Sequence, residues 1–208
     1  MVDAGQLELV VVDDGSADGT AEAARSAGAD NVIRLPQNRG KGAAVRAGML
    51  AARGSTVVFT DADLAYAPAQ IAVFLAEIEN GWDVVVGNRR PDVIDAPVGI
   101  RAVGHRVFNA ATRAVLARHF NDTQCGFKGF HRDAAQAVFG RARIDRFAFD
   151  VEVLWLAAYL GLSIEEVPVA LDRAEGSTVR FSVDALRMLR DLVRIRRWAA
   201  SGAYKPAD

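Results

Sequence analysis

The stretch "VVFTDADLAYAP" occupies residues 57–68. An apolar, β-branched and aromatic run ends at Thr60. Asp61 and Asp63 follow, one residue apart, ahead of Pro68. The first half reads as a strand covered on both faces, and the proline as the first turn of a helix. Residues i and i+2 of an extended chain project to the same side, so the two carboxylates converge at the strand's tip. Unpaired, each would raise the other's pKa. One reading makes Asp63 a helix cap. The other places a divalent cation between the pair, Mg²⁺ or Mn²⁺, with phosphate oxygens completing its shell. The position at the end of a buried strand favours the cation.

Working outward, residues 7–12 (LELVVV) form another continuous apolar run and end in Asp13-Asp14-Gly15-Ser16. Asp18 or Thr20 can cap the alanine-rich helix that follows. Residues 32–35 read as a second strand. The loop Asn38-Arg39-Gly40-Lys41-Gly42 leads into a helix over 43–53. Strand 56–60, helix 68–79 and strand 83–86 continue the alternation, about every 25 residues, that marks βαβ units. The expected architecture is α/β, a mainly parallel Rossmann-like sheet flanked by helices. After Gly87 the rhythm changes. Residues 91–97 read as a loop, 98–118 as a long amphipathic helix, and 123–132 as a short strand or hairpin. Residues 147–160 read as a helix, 164–169 as a late strand and 182–200 as a last helix. With no repeat and no linker, residues 1–208 are expected to form a single domain.

The bulk numbers narrow the function. In 208 residues, 51% are apolar and 25% charged, with a net charge of −1. That composition is globular and supplies no basic field for nucleic acid. A lone cysteine, Cys125, excludes an internal disulfide framework and a multi-cysteine zinc site. A reducing cytoplasm fits that count. The opening residues are not expected to act as a leader, and no apolar run reaches the roughly 20 residues that span a bilayer. Contact with a membrane is therefore expected at its surface.

Three polar clusters close predicted parallel strands: Asp13-Asp14, Asn38 to Lys41, and Asp61 with Asp63. Open α/β sheets bind ligands at that edge. Adjacent aspartates there can accept hydrogen bonds from a nucleobase imide and ribose hydroxyls, although the same residues serve as turn formers. The 38–42 loop is neither a P-loop nor a dinucleotide fingerprint. Lys41, at a helix start, can still neutralise a phosphate.

The order of VVDDGSADGT (11–20), NRGKGAAVRAG (38–48), FTDADL (59–64), GNRR (87–90), DTQCGFKGF (122–130), FAFDVEVL (147–154) and EVPVALDRAEGST (166–178) resembles glycosyltransferase family 2. Within it, the sequence is most similar to dolichyl-phosphate glucosyltransferases and polyprenyl-phosphate sugar synthases. The resemblance implies a GT-A fold, a nucleotide-sugar donor such as UDP-glucose, and Mg²⁺ or Mn²⁺. It implies that Asp13 and Asp14 hold the uridine, that Lys41 lies near the base or phosphates, and that Asp61 and Asp63 hold the metal and diphosphate. The implied reaction is inverting transfer of a hexose to a polyprenyl or dolichyl monophosphate. GDP-mannose as donor, a sugar hydroxyl as acceptor, or a non-catalytic nucleotide-sugar binder remain alternatives.

A phosphate acceptor changes what the protein must supply. A phosphate monoester is mostly dianionic at neutral pH, so it is already a nucleophile and needs no strong base. Arginines then become the acceptor-side candidates, because they grip phosphate with two parallel bonds. Arg89, Arg90 and Arg101 are placed for that role, and His105 sits one helical turn after Arg101. Asp150 and Glu152 fall where relatives carry an acidic base; here they are expected to position the acceptor or Arg101. Asp122, Thr123 and Gln124 shape the sugar or acceptor pocket. Asp61, Asp63, Asp150 and Arg101 are the catalytic candidates, and Cys125 reads as a packed small residue.

In residues 181–200, Arg187, Arg190, Arg194 and Arg197 make a basic stripe beside an apolar face of Met188, Leu189, Leu192 and Ile195, with Trp198 near the end. Such a helix can lie on an anionic membrane or pack on its own domain. A lipid-linked acceptor favours the membrane, hence peripheral attachment at its cytoplasmic face. Two departures from the family carry expectations. The usual first strand and helix are not apparent ahead of residues 7–12, which is expected to leave a sheet edge uncovered. Ala65 also stands where some mannosyl-phosphate relatives have a metal-binding glutamine.

Overall fold

The computed structural model describes residues 7–89, 112, 116, 120–172 and 181–205. Its first half alternates as the pattern predicts. Strand β1 (Val10–Asp13) leads to helix α1 (Thr20–Ser26), strand β2 (Asn31–Arg34), helix α2 (Lys41–Ala51) and strand β3 (Thr56–Phe59). A short 3₁₀ turn, Pro68–Gln70, opens α3 (Ile71–Glu79), which leads to β4 (Val84–Arg89). Of the short strand or hairpin predicted at 123–132, the structure has the strand, β5 (Lys128–His131), running straight into α4 (Arg132–Phe139). Helix α5 (Phe149–Tyr159), strand β6 (Ile164–Val169) and helix α6 (Phe181–Ala200) complete the described elements.

The strands fall into two sheets. β1 and β2 pair in parallel, Val11 opposite Val32. The other sheet has the order β3-β5-β4-β6. β4 and β6 are parallel, while β5 enters between β3 and β4 antiparallel to both. Val84, Val85 and Val86 are fully buried, because helices cover both faces of this sheet. On one face pack Phe130, Phe139, Phe149 and Leu154; on the other, Tyr66, Phe74 and Phe127. Each such side chain contributes about 1.5–3 kcal/mol by leaving water.

Helix α2 lies against both sheets, touching β1 and β3. Among the described residues β1 pairs with β2 alone, Val10, Val11 and Val12 are only half-buried, and Leu7 and Leu9 are more than half exposed. Among the described residues, then, one edge of β1 stands uncovered, as the sequence leads one to expect.

Helix α6 overturns the expected membrane-facing use of its apolar face. Leu192 and Ile195 are buried in the main core, and Met188 and Leu189 pack partly against it. Packing on the domain removes that apolar stripe from water, so it needs no lipid to cover it. Arg187, Arg190, Arg194 and Arg197 remain on the exposed side. No helix among the described residues is long and apolar enough to cross a membrane.

Candidate donor and acceptor site

Four segments converge where β1, β3 and β4 end. The 13–16 turn comes first. Asp13 is buried at the end of β1. Its Oδ1 accepts the Ser16 N–H at 2.8 Å, and this bond holds the carboxyl below the usual aspartate range. Its Oδ2 is buried without a hydrogen-bond partner among the described residues, with Arg34 Nε standing 3.5 Å away. Gly15 is required in this turn. Its φ is +74°, and a Cβ there would lie 2.6 Å from the backbone of Gln37.

Asp14 does something other than wait for a ribose. Its two oxygens accept the backbone N–H groups of Arg39 (2.8 Å) and Gly40 (2.7 Å), so it holds the 38–42 loop in shape. From below, Asp145 bonds Arg39 at 2.9 Å and Arg46 at 2.5 Å, and its carbonyl takes the Ala43 N–H. Clamped from both sides, the loop delivers Lys41 at the first turn of α2. The Lys41 ammonium stands 2.6 Å and 2.8 Å from the two oxygens of Asp61.

Asp63 does not join that pair. Its Oδ1 accepts the Ala65 N–H at 3.0 Å, and the residue is exposed. Leu64, just after it, is the one non-glycine described residue with positive φ (53°), which turns the chain sharply after the two aspartates. Among the described residues no three His, Cys, Asp or Glu side chains cluster as a ready metal cage. Two carboxylates, one of them exposed, suit Mg²⁺ or Mn²⁺ only as an ion that brings most of its shell with a diphosphate and water. The donor set fits the ion in that restricted sense.

A close approach locks this corner. A Cβ on Gly126 would lie 2.2 Å from Asp61 Oδ2 and 3.3 Å from Lys41 Nζ. The 122–127 loop therefore passes directly over the Asp61–Lys41 pair. The same loop begins at Asp122, which Arg89 grips through Nε (2.5 Å) and Nη2 (2.9 Å). Burial pushes the Asp122 carboxyl up, but the guanidinium outweighs it and the net shift is downward. The fork of Arg89, assigned from sequence to an acceptor phosphate, is thus occupied by Asp122. Gln124 is half-buried on the same loop, and its N–H bonds Asp122 at 3.1 Å. Arg90, Arg101 and His105 lie outside the described residues.

Asp150 and Glu152, two acids of the first turn of α5, part company. Glu152 is fully buried, taking the N–H groups of Arg143 (2.9 Å) and Ile144 (2.7 Å) and the Tyr204 hydroxyl (2.6 Å). These bonds fasten the 143–144 loop and the 201–205 segment to α5, away from the acceptor role assigned to Glu152. Asp150 instead meets the Lys128 ammonium at 2.5 Å, with burial pushing its carboxyl upward against the lysine. Lys128, fully buried, escapes a reading by motif. Its one signal is a lone charge inside the aromatic run Phe127-Lys128-Gly129-Phe130. Cys125 is a packed thiol donating to the Tyr66 hydroxyl at 3.3 Å.

The model of the family described as "Glycosyl transferase family 2" matches residues 3–139. Among curated proteins, the chain is 36% identical to a dolichyl-phosphate beta-glucosyltransferase of Drosophila melanogaster over 97% of its length. It is 34% identical to that of Dictyostelium discoideum and 33% to that of Homo sapiens, each over 95% of its length. The chain spans 65–66% of the length of these relatives. Among solved structures, glucosyl-3-phosphoglycerate synthase from Mycobacterium tuberculosis with uridine diphosphate superposes with a TM-score of 0.67 at 23% identity, covering 97% of this chain and 70% of that one. The same enzyme with Mn²⁺ and UDP-glucose gives 0.64 at 19% identity, covering 97% and 69%.

Proposed function

Because this chain belongs to glycosyltransferase family 2, we propose that it moves glucose from UDP-glucose to a dolichyl or polyprenyl monophosphate, with inversion and with Mg²⁺ or Mn²⁺. The buried Oδ2 of Asp13, which has no hydrogen-bond partner among the described residues, carries the donor half of this reading. A buried acceptor without a donor costs roughly 1–3 kcal/mol. A uracil imide N–H meets that need, at the same strand edge as Asp61 and Lys41. The names of the relatives support the acceptor and the sugar. The solved likeness that holds Mn²⁺ and UDP-glucose supports the donor.

In this mechanism Asp13 orients the base and Asp14 keeps the 38–42 loop rigid. Lys41 then faces the diphosphate and neutralises charge that grows on the leaving group. Asp61 and Asp63 would hold the metal, which supplies further positive charge there. A dianionic acceptor phosphate attacks without a strong base, which accords with Asp150 and Glu152 both being buried and engaged. Arg89 acts through Asp122, fixing the loop that closes over the donor. Arg90, Arg101 and His105 are the proposed direct contacts to the acceptor phosphate. The exposed arginines of α6 would hold the domain against an anionic membrane, at its cytoplasmic face, by charge rather than by insertion.

Incubation with Mn²⁺, a short polyprenyl phosphate and labelled UDP-glucose or GDP-mannose tests the reading. Lipid-linked product from UDP-glucose is expected. Product from GDP-mannose alone, or transfer only to sugar hydroxyls, would overturn it.

A further inference from the structure

Lys128 is a charge with no evident reason to be where it is. It is fully buried, and its ammonium touches three segments at once. It donates to the Cys125 carbonyl at 2.6 Å and to Asp150 at 2.5 Å, and lies 5.6 Å from the ring centre of Phe59, two residues before Asp61. Burying such a pair is costly, and apolar side chains of similar size often stabilise as well or better. Stability alone is a poor account of it.

Its neighbours suggest a better one. Asp150 lies within electrostatic reach of Lys41 and Asp61 as well as of Lys128. Lys41 Nζ is 6.0 Å from the ring centre of Phe149, the residue before Asp150. Two lysines and two aspartates therefore share one corner, a buried pair of Lys128 with Asp150 beside a partly exposed pair of Lys41 with Asp61. The alternative pairing, Lys41 with Asp150, would strip Asp61 of its partner. Without the Lys128 charge Asp150 would be a buried carboxylate with Lys41 as the other described cation that acts on it. An uncompensated carboxylate in the buried site costs far more than one at the half-exposed Asp61, so Lys41 would be drawn inward.

We propose that Lys128 is a positioning residue: by satisfying Asp150, it reserves Lys41 for Asp61 and so keeps the donor corner preorganised. This deepens the donor-site reading above and rests on it for its functional consequence.

The first measurement needs no nucleotide. Crystal structures of the wild-type protein and Lys128→Met are compared, with Lys128→Gln in reserve should the methionine variant not fold. In the variant, Lys41 is expected on Asp150; Lys41 still on Asp61 would overturn the inference. The second measurement is calorimetric titration of UDP in the presence of Mn²⁺. Lys128→Met is expected to weaken binding about tenfold, but to have little effect in a Lys41→Met background. The double variant Lys128→Met/Asp150→Leu, which removes the competing carboxylate, should recover UDP affinity. Equal losses with and without Lys41, or no recovery in the double variant, mark a merely structural lysine and overturn the inference. A wild-type protein that binds no UDP defeats the donor reading, while the position of Lys41 still decides this one.

Discussion

The Lys41 ammonium bridges both carboxylate oxygens of Asp61, at 2.6 Å and 2.8 Å, across 20 residues of sequence. Asp61 therefore meets any arriving cation already neutralised. Metal alone should bind weakly, and metal brought with a diphosphate much better, since the diphosphate gives Lys41 a new partner. Replacing Lys41 by methionine is expected to raise Mn²⁺ affinity of the nucleotide-free protein, read by electron paramagnetic resonance. The same change should lower UDP affinity about tenfold, on the order of one charge-assisted hydrogen bond. Unchanged Mn²⁺ affinity would show that Lys41 does not compete for Asp61.

Asp13→Asn separates the two oxygens of Asp13. An asparagine carbonyl can still accept the Ser16 N–H, so unfolding midpoints should move little. The amide nitrogen, however, would face a uracil imide donor with another donor. UDP affinity is expected to fall between about tenfold and a hundredfold, the usual cost of a mismatched buried hydrogen bond. Titration calorimetry of both proteins checks it.

Gly126→Ala tests the close approach over the Asp61–Lys41 pair. A methyl group 2.2 Å from Asp61 Oδ2 must push the loop or the carboxylate aside. Donor binding and turnover should fall at least about tenfold, with a loss of stability on the order of 1–3 kcal/mol. Gly19→Ala is the control, since a Cβ there meets nothing within 4 Å. Equal behaviour of the two variants in steady-state assays would remove Gly126 from the site.

The Arg89–Asp122 pair makes an acid-side prediction. The Asp122 carboxyl is lowered in the folded chain: burial raises it, and the Arg89 hydrogen bond and charge more than offset that. A lowered acid contributes stability that is fully present above its unfolded value, about 3.9, and lost as pH falls through the folded one. Asp122→Asn should be less stable than wild type at neutral pH, with the difference shrinking as pH drops below about 4. Urea unfolding across that range reads it; a gap that stays constant down to the lowest pH would show that Asp122 does not titrate below its ordinary range.

The outward face of α6 gives a salt-sensitive prediction. Changing Arg187, Arg190, Arg194 and Arg197 to glutamine should abolish co-sedimentation with vesicles rich in anionic lipid; circular dichroism checks that the fold survives the loss of the Arg194–Asp191 pair. Wild-type binding should weaken as salt rises from about 0.1 M toward about 1 M, where screening shortens to about 3 Å. Binding indifferent to both changes would dismiss the membrane contact.

Much of this protein was legible locally. Alternating apolar runs and helix signals located β1 to β4 and α1 to α3 within a few residues, because strand burial and helix amphipathicity are written at periods of about two and 3.6. The polar clusters at strand ends pointed to one edge of the fold, and Lys41 and Asp61 do meet there. Asp14 and Arg89 had the right chemistry for a ligand and are held by other protein groups instead. Which donor or acceptor reaches them first is a matter of which backbone passes nearby. For α6 the residue pattern alone was ambiguous, since an amphipathic helix looks the same whether its apolar face meets lipid or its own core.

By itself, then, the amino-acid sequence determined the α/β alternation, the family and the residues of the candidate site: two acid pairs, a lysine at a helix start, and glycines where the chain must turn. Only the tertiary structure decided the partners. It inserted β5 antiparallel between β3 and β4, laid Gly126 over Asp61, buried Lys128 against Asp150 and pinned Glu152 to Tyr204 across 52 residues. The reason is range. Backbone preference and periodicity act over a few residues, whereas the pairing of buried charges follows from which distant segments exclude water together.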